Sequence, residues 1–215
     1  MRHVATVPVV LPLTDVYTGD LGRLWVVADN HWRHNSIMRL CNRPADHEAR
    51  MNRGWMERVA DDDTVLHLGD AWFGDNNVDM LTALPGHVIL LRGNHDRSNA
   101  DWYVRKLGWT VVKSPLHAGV LTTDIDGARV ALSHAPLSRR YLDWDVNVHG
   151  HIHNNGYHPD VCTMRRERDT RHLCVSVECT DYAPQRLLDV VRGQAMVGSF
   201  DTLGMATIWK ERDLL

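Results

Sequence analysis

The chain has 215 residues, of which 44% are hydrophobic and 24% are charged, and its formal net charge at pH 7 is −3. This size and composition are typical of one globular domain, so we treat residues 1–215 as a single domain. The acidic balance excludes a general nucleic-acid coat, which needs a basic surface, and we expect no extended nucleic-acid surface. No run approaches the roughly 18 apolar residues that a membrane span requires, so we expect no membrane association.

Hydrophobic periodicity predicts strands that alternate with helices before hairpins appear, an order that favours mixed sheets. Residues 1–22 are expected to form an edge strand or a partly ordered N-terminal extension, and residues 154–172 a long loop or cap near the site. The Asp126-Gly127 pair predicts a tight hairpin turn. Predicted strands span 24–27, 64–68, 87–91, 109–112, 116–125, 128–133, 145–149, 173–177 and 203–209. Predicted helices span 44–60, 78–84, 98–107 and 184–196.

The cysteines indicate the redox environment of the chain. Cys41, Cys162, Cys174 and Cys179 show no C-x-x-C spacing, and we interpret them as reduced thiols of a cytoplasmic protein. A disulfide between Cys162 and Cys174 is the alternative. Prolines interrupt the apolar run near the N-terminus and no small-residue cleavage site follows it, so no secretion signal is predicted.

Five apolar runs end directly on side chains that can bind a metal or move a proton. The run at 88–91 leads into Gly93-Asn94-His95-Asp96. The other four runs lead into Asp29-Asn30-His31, Gly69-Asp70, Ser133-His134 and Gly150-His151-Ile152-His153. Because the turn after a buried parallel strand is a common place for active-site residues, five such endings in one domain predict one site.

The candidate ligands are two carboxylates, one amide oxygen and four imidazoles: Asp29, His31, Asp70, Asn94, His134, His151 and His153. They are too many for one tetrahedral zinc ion and include no sulfur, but they fit two divalent ions that share a carboxylate. Mixed oxygen and nitrogen ligation suits Mn²⁺, our first choice, as well as Fe, Zn, Co or Ni. Residues two apart in an extended segment point the same way, which lets both members of Asp29/His31 and of His151/His153 reach one cluster.

Two such ions suit in-line displacement at phosphorus, with a metal-bridging hydroxide as the nucleophile. The leaving oxygen then needs a general acid. His95 follows the ligand Asn94 directly, and the neighbouring carboxylate of Asp96 is expected to orient the His95 ring and raise its pKa.

Together, Asp29-x-His31, Gly69-Asp70, Gly93-Asn94-His95-Asp96, His134 and Gly150-His151-x-His153 resemble, in order and spacing, the signature of the calcineurin-like metallophosphoesterases. The resemblance implies an α/β fold, a four-layer α-β-β-α sandwich of two mixed sheets, with the dinuclear site at the strand ends. It implies His95 as the catalytic acid, with Asp96 as its partner. It implies a first metal held by Asp29, His31, Asp70 and His153, and a second by Asp70, Asn94, His134 and His151.

In finer detail, the chain resembles small bacterial and phage phosphoesterases of this superfamily. If a phage encodes the chain, the expected compartment is the cytoplasm of the host cell. The finer resemblance rests on Asp29-Asn30-His31, His34-Asn35, Cys41-Asn42-Arg43-Pro44 and Val177-Glu178-x-Thr180-Asp181-Tyr182.

Two departures from the family pattern bear on the substrate. Gly69-Asp70 continues as Ala71-Trp72-Phe73-Gly74 instead of Asp-Arg-Gly, and Asp96 stands where protein phosphatases and diadenosine-tetraphosphate hydrolases have Glu. We therefore expect a phosphodiesterase that acts on cyclic nucleotides or other small phosphodiesters, so the partner is a small phosphoester or nucleotide. A phosphomonoesterase or a nuclease of the same superfamily is the alternative. A non-catalytic scaffold is the rival from another class.

Four further residues are candidate substrate contacts. His34 and Asn35 can reach a substrate phosphate or lie in a solvated loop. Trp72 can stack a base or belong to the core, and Arg92 can pair with a phosphate or face a sheet interface. The arginines of 154–172 can cap the site, lie on the surface or form a subunit contact, which leaves a homo-oligomer open.

Overall fold

The computed structural model describes residues 8–74, 78–96, 100–115, 118–138, 142–153 and 172–193. Its ten strands are β1 (Val9–Pro12), β2 (Leu24–Val27), β3 (Thr64–His67), β4 (His87–Leu90), β5 (Thr110–Val111), β6 (Gly119–Ile125), β7 (Ala128–Ser133), β8 (Val146–His149), β9 (His172–Cys174) and β10 (Gln185–Arg186). Its α-helices are α1 (Ile37–Cys41), α2 (His47–Arg58), α3 (Asp79–Thr82), α4 (Ala100–Leu107) and α5 (Leu187–Val191). None of the helices in these ranges is long and apolar enough to cross a membrane.

The strands form two five-stranded sheets. Sheet I has the order β10-β2-β3-β4-β5, and its strands are parallel except for β10, which is antiparallel to β2. Sheet II has the order β1-β6-β7-β8-β9, and its strands are parallel except for the β6–β7 hairpin around Asp126-Gly127. Both sheets are therefore mixed, as the sequence predicted.

Strand β2 shows why these apolar runs form buried strands. All four of its residues are buried. Leu24 and Val26 belong to the core between the two sheets, together with Leu132 and Val148 of sheet II, whereas Trp25 and Val27 face the helices. A strand that is covered on both faces needs apolar residues at every position, which explains why the run lacks a polar–apolar alternation.

The layers beyond the sheets are unequal in the described residues. Helices α2, α3 and α4 cover the outer face of sheet I, where Met51, Trp55, Leu81 and Tyr103 pack in one cluster with the sheet. On sheet II a smaller cluster around Trp144 is separate from the core between the sheets, and it comes from strand and loop residues. The predicted α/β fold with two mixed sheets packed face to face is confirmed.

Within residues 1–22, the described part contains the expected edge strand, β1, which is parallel to β6. Several other predicted boundaries need correction. His172 opens β9 and so does not belong to the predicted loop, whose remaining residues, 154–171, lie outside the described residues together with the predicted strand at 203–209. Gln185–Arg186 is a strand instead of the first turn of a helix, because its backbone completes the edge of sheet I beside β2.

The segment after β9 crosses from sheet II to sheet I, which ends the strand predicted at 173–177 early. The amide of Val175 donates to the carbonyl of His149 at 2.7 Å, and Ser176 then forms a parallel bridge with Ala28. A 3-10 turn, Val177–Cys179, follows. This crossing brings Glu178 next to the residues that follow β2.

A buried aspartate anchors the turn between α2 and β3. Asp63 accepts hydrogen bonds from Trp25 Nε1 at 2.9 Å, from Arg23 Nε at 3.0 Å and from the amide of Ala60 at 3.0 Å. The two residues before it, Asp61 and Asp62, are exposed. Asp63 therefore departs from the solvated turn that three consecutive aspartates suggest.

We expect Asp63→Ala to lower the free energy of unfolding by about 2–3 kcal/mol, because Trp25 Nε1 and the Ala60 amide lose their acceptor. Urea denaturation measures the change. The matched control is Asp61→Ala, which we expect to change stability by less than about 0.5 kcal/mol. Equal effects of the two substitutions would contradict the anchoring role.

Candidate metal centre

The candidate ligands follow the carboxyl ends of five parallel strands, three in sheet I and two in sheet II. Asp29 and His31 follow β2, Asp70 follows β3, Asn94 follows β4, His134 follows β7, and His151 and His153 follow β8. Donor atoms from these segments form two groups, each with its members within 4.8 Å of one another.

The first group consists of Asp29, His31 and His153. Asp29 Oδ2 accepts hydrogen bonds from Ser176 Oγ at 2.6 Å and from the amide of His151 at 2.7 Å. In the described part of the chain, Asp29 Oδ1 and both ring nitrogens of His31 are buried without a hydrogen-bond partner. Burial of unpartnered polar atoms is costly, and a bound cation would remove that cost.

The second group consists of Asp70, His134 and His151, to which Asn94 adds an amide oxygen. His134 Nδ1 lies 2.8 Å from the carbonyl of Leu68, so this nitrogen donates and Nε2 is the nitrogen that faces the other donors. Around Nε2 lie Asn94 Oδ1 at 2.8 Å, His151 Nδ1 at 3.2 Å and Asp70 Oδ2 at 3.5 Å. Such separations suit ligands that share one ion at about 2.0–2.2 Å.

Asp70 connects the two groups. Its Oδ2 lies 3.5 Å from Nε2 of His31 in the first group and 3.5 Å from Nε2 of His134 in the second. Its other oxygen, Oδ1, accepts a hydrogen bond from the backbone amide of His95 at 2.8 Å. One carboxylate oxygen thus faces both groups, while the other holds the segment that carries His95.

The charges of the site also favour a cation. Burial lowers the pKa of His31 to about 2. Burial also lowers the pKa of His134, but the carboxylates of Asp70 and Asp29 raise it more, to about 9. Burial raises the pKa of Asp70, and the neighbouring histidines outweigh this effect and lower it. The buried carboxylate is therefore stable as an anion only with positive charge beside it, which a divalent ion would supply.

The ligand segments adopt an uncommon backbone conformation. Five candidate ligands have a positive φ, between 48° and 72°: Asp29, His31, Asp70, His151 and His153. Each such residue costs roughly 1–3 kcal/mol unless its surroundings stabilise it. Here the amide of Asp29 donates to the carbonyl of Gly69 at 2.9 Å, and that of His31 to the carbonyl of Asp70 at 3.0 Å. These bonds join the segment after β2 to the segment after β3.

Two glycines allow the ligands to approach the backbone. A Cβ at Gly93 would clash with Asp70 Oδ1 and would lie 2.6 Å from His134 Cε1. A Cβ at Gly150 would clash with Asp29 Oδ2 and would lie 2.5 Å from Ala28 Cβ. Each contact is closer than real Cβ atoms tolerate, so glycine is required at both positions by close packing.

The sequence analysis gave no role to Arg43 and Glu178, although both stood in the motifs of the finer resemblance. Arg43 is buried and donates to Glu178 Oε1 at 2.7 Å, to the carbonyl of Asn30 at 2.6 Å and to that of Asp29 at 2.5 Å. Glu178 Oε1 lies 3.1 Å from His153 Nδ1. This contact orients the His153 ring and leaves its Nε2 for the first group.

A third group of donor atoms, from Cys41, His153 and Glu178, also lies within 4.8 Å. Burial raises the pKa of Glu178, but His153 and Arg43 lower it to about 2, so the carboxylate is charged and already paired. We interpret this group as a support for the His153 ring. No separate cation is needed to explain it.

The structure corrects the role predicted for Asp96. Its Oδ2 accepts hydrogen bonds from the amides of Asp70 and Gly93, both at 2.7 Å. Its Oδ1 accepts from the amide of Ala71 at 3.0 Å and from the Tyr103 hydroxyl at 2.9 Å. The prediction that Asp96 orients the His95 ring is wrong, because these four bonds occupy the carboxylate, which ties the end of β3 to the end of β4.

Trp72 also departs from its predicted role. Its side chain is 5% exposed and packs in the core on the helix side of sheet I, so base stacking by Trp72 is excluded. The next residue, Phe73, is exposed, and its ring stacks on the ring of His34 with centroids 3.9 Å apart. The His34 ring in turn lies 5.3 Å from that of His31.

The structure also places the other predicted substrate contacts and three of the four cysteines. Asn35 is exposed, and Arg92 Nη2 donates to the carbonyl of Ser114 at 3.3 Å. Phosphate binding by Arg92, His34 or Asn35 stays a prediction. Of the predicted thiols, Cys41, Cys174 and Cys179 are buried and form no disulfide with one another, whereas Cys162 lies outside the described residues.

Asp96→Asn tests the corrected role. We expect the free energy of unfolding to fall by about 2–4 kcal/mol, because the amide cannot accept all the hydrogen bonds that the carboxylate accepts. Tyr103→Phe removes one of the four bonds and is expected to cost about 1 kcal/mol. Both changes are measured by urea denaturation. Wild-type stability of Asp96→Asn would show that the carboxylate is not a structural anchor.

Glu178→Gln tests the support of His153. We expect the affinity for Mn²⁺, measured by isothermal titration calorimetry, to fall about 10- to 100-fold, because an amide orients the imidazole less firmly. The matched control is Glu57→Gln, at an exposed position of α2, with wild-type affinity expected. Circular dichroism verifies that both variants are folded. An unchanged affinity in folded Glu178→Gln would contradict the proposed support.

Several known proteins are similar to this chain in sequence or in fold. The chain is 28% identical to an uncharacterized protein of Methanocaldococcus jannaschii over 181 residues, which cover 79% of this chain and 90% of that protein. It is 27% identical to the gene 66 protein of mycobacterium phage L5 over 164 residues, 62% of this chain and 79% of that protein. The crystal structure of a protein of unknown function from Aquifex aeolicus superposes with a TM-score of 0.56 at 26% identity, over 75% of this chain and 93% of that one.

A family model described as a calcineurin-like phosphoesterase superfamily domain matches residues 23–175. The matched range covers more than half of the chain and includes every donor of the first two groups. The chain therefore belongs to the calcineurin-like phosphoesterase superfamily.

Proposed function

We propose that the protein is a dinuclear-metal-dependent phosphodiesterase that acts on cyclic nucleotides or other small phosphodiesters. The position of Asp70 Oδ2, 3.5 Å from a histidine nitrogen of each donor group, carries this proposal. Asp29, His31, Asp70 and His153 would hold the first ion, and Asp70, Asn94, His134 and His151 the second. Their mixture of carboxylate, amide and imidazole donors supports Mn²⁺ as the first metal to test.

His95 is the general acid in this proposal. When bound, the two ions would supply an activated water molecule and neutralise charge on the phosphoryl group. The backbone of His95 is held by Asp70, and its ring lies 5.4 Å from that of His31, so it stands beside the first donor group. Its Nδ1 is buried, so we assign proton transfer to Nε2, which protonates the leaving oxygen.

The segment after Asp70 supports a diester substrate. It presents the exposed ring of Phe73 near His31 and His95, and it carries no arginine between Asp70 and Gly74, unlike the Asp-Arg-Gly continuation of the protein phosphatases. A phosphodiester carries one negative charge fewer than a phosphomonoester dianion, so it needs less positive charge from the protein. The net charge of −3 opposes a nuclease, and the complete donor set opposes a non-catalytic scaffold.

We also propose that the protein works in the cytoplasm. Cys41, Cys174 and Cys179 are buried and form no disulfide with one another, which supports a reducing compartment.

The test uses metal-stripped protein with bis-p-nitrophenyl phosphate and p-nitrophenyl phosphate as substrates. We expect Mn²⁺ to restore turnover and the diester to be the better substrate. His95→Ala should lower kcat about 10²- to 10⁴-fold while Mn²⁺ still binds, because the leaving oxygen loses its acid.

His87→Ala is the matched control, since His87 is exposed at the opposite end of β4. Faster turnover of the monoester would favour the phosphomonoesterase. Turnover that needs no metal, or that His95→Ala leaves unchanged, would contradict the proposed mechanism.

A further inference from the structure

Phe73 is an exposed aromatic residue that the proposed chemistry does not use. Phe73 is 43% exposed, whereas the two residues before it, Ala71 and Trp72, are buried. Isolated exposed hydrophobic residues are ordinary on a protein surface. Phe73 differs because it lies among the histidines of the candidate site.

The exposure of Phe73 follows from backbone pairing. The amide of Trp32 donates to the carbonyl of Ala71, and the amide of Phe73 donates to the carbonyl of Trp32, both at 3.0 Å. Trp32 and Trp72 form a parallel bridge. Because successive side chains of an extended segment point to opposite sides, a pairing that places Trp72 in the core places Phe73 on the site side.

The ring of Phe73 is held in position by its neighbours. It stacks on His34 at an interplanar angle of 21°, and its centroid lies 5.4 Å from that of His95 and 6.2 Å from that of His31. The ring therefore presents exposed apolar surface directly beside the group that we assign as the general acid.

We propose that Phe73 forms a subsite that stacks the nucleobase of a nucleotide substrate, an inference that rests on the proposed function. An exposed aromatic ring next to a phosphate site suits a planar group linked to the phosphate, because every base offers a π-face for stacking. The Phe73 side chain has no hydrogen-bonding group, so the subsite detects the presence of a base and discriminates little among bases.

The experiment measures binding to the Mn²⁺-loaded full chain by isothermal titration calorimetry. The probes are adenosine 5′-monophosphate, cytidine 5′-monophosphate and ribose 5-phosphate, which share the sugar phosphate and differ in the base. We expect both nucleotides to bind about 5- to 150-fold more tightly than ribose 5-phosphate. In Phe73→Ala this ratio should fall toward one, and in Phe73→Tyr it should persist.

Met56→Ala is the matched control, because Met56 is a large hydrophobic residue that is 62% exposed on α2. We expect its binding ratio to equal that of the wild type. Equal binding of nucleotide and ribose 5-phosphate by the wild type, or no binding of any probe, would overturn the subsite. An unchanged ratio in Phe73→Ala would show that Phe73 is only a structural neighbour of His34.

The binding measurement needs no turnover, so the subsite and the proposed function fail separately. A base-dependent ratio without hydrolysis of any ester would retain the subsite and reject the phosphodiesterase. Hydrolysis of small diesters without a base-dependent ratio would retain the phosphodiesterase and reject the nucleobase subsite.

Discussion

The buried carboxylate of Asp70 is the constraint on which the rest of the site depends. Its Oδ2 faces a histidine from each donor group, and its Oδ1 holds the amide of His95. A charge in this position is costly unless every neighbour compensates it. Asp96 contributes by accepting hydrogen bonds from the amides of Asp70 and Gly93, which fixes the ends of β3 and β4 relative to each other. The geometry of the donors therefore originates in the turns after two adjacent parallel strands.

A second buried interaction connects segments that are far apart in the chain. Arg43 and Glu178 form an ion pair, and each also contacts a ligand segment, through the carbonyl of Asp29 and through the ring of His153. Burial of an ion pair contributes little net stability, because desolvation opposes the attraction between the charges. The ion pair between Arg43 and Glu178 instead serves to position the ligand segments. It fixes the first and last ligand segments, which follow strands of different sheets, in one arrangement.

The direction in which a side chain points decides which of two consecutive residues lies in the site. Asp96 faces backbone amides, although the adjacent His95 lies among the rings of the site. Trp72 belongs to the core, whereas Phe73 is exposed near the first donor group. In both pairs, residue type alone does not tell which member faces the site. Only the pairing of the backbone with a neighbouring segment selects the side.

The sequence by itself determined the strand runs, the mixed sheets and the candidate ligand set, because these depend on local properties. An apolar run such as Leu24–Val27 must be covered on both faces, and a polar residue directly after it must lie at the strand end. The tertiary structure alone decided the anchoring role of Asp96, the burial of Trp72, the pairing of Arg43 with Glu178 and the strand at Gln185–Arg186. Each of these depends on contacts between segments that are distant in the chain, and residue type and spacing carry no information about such contacts.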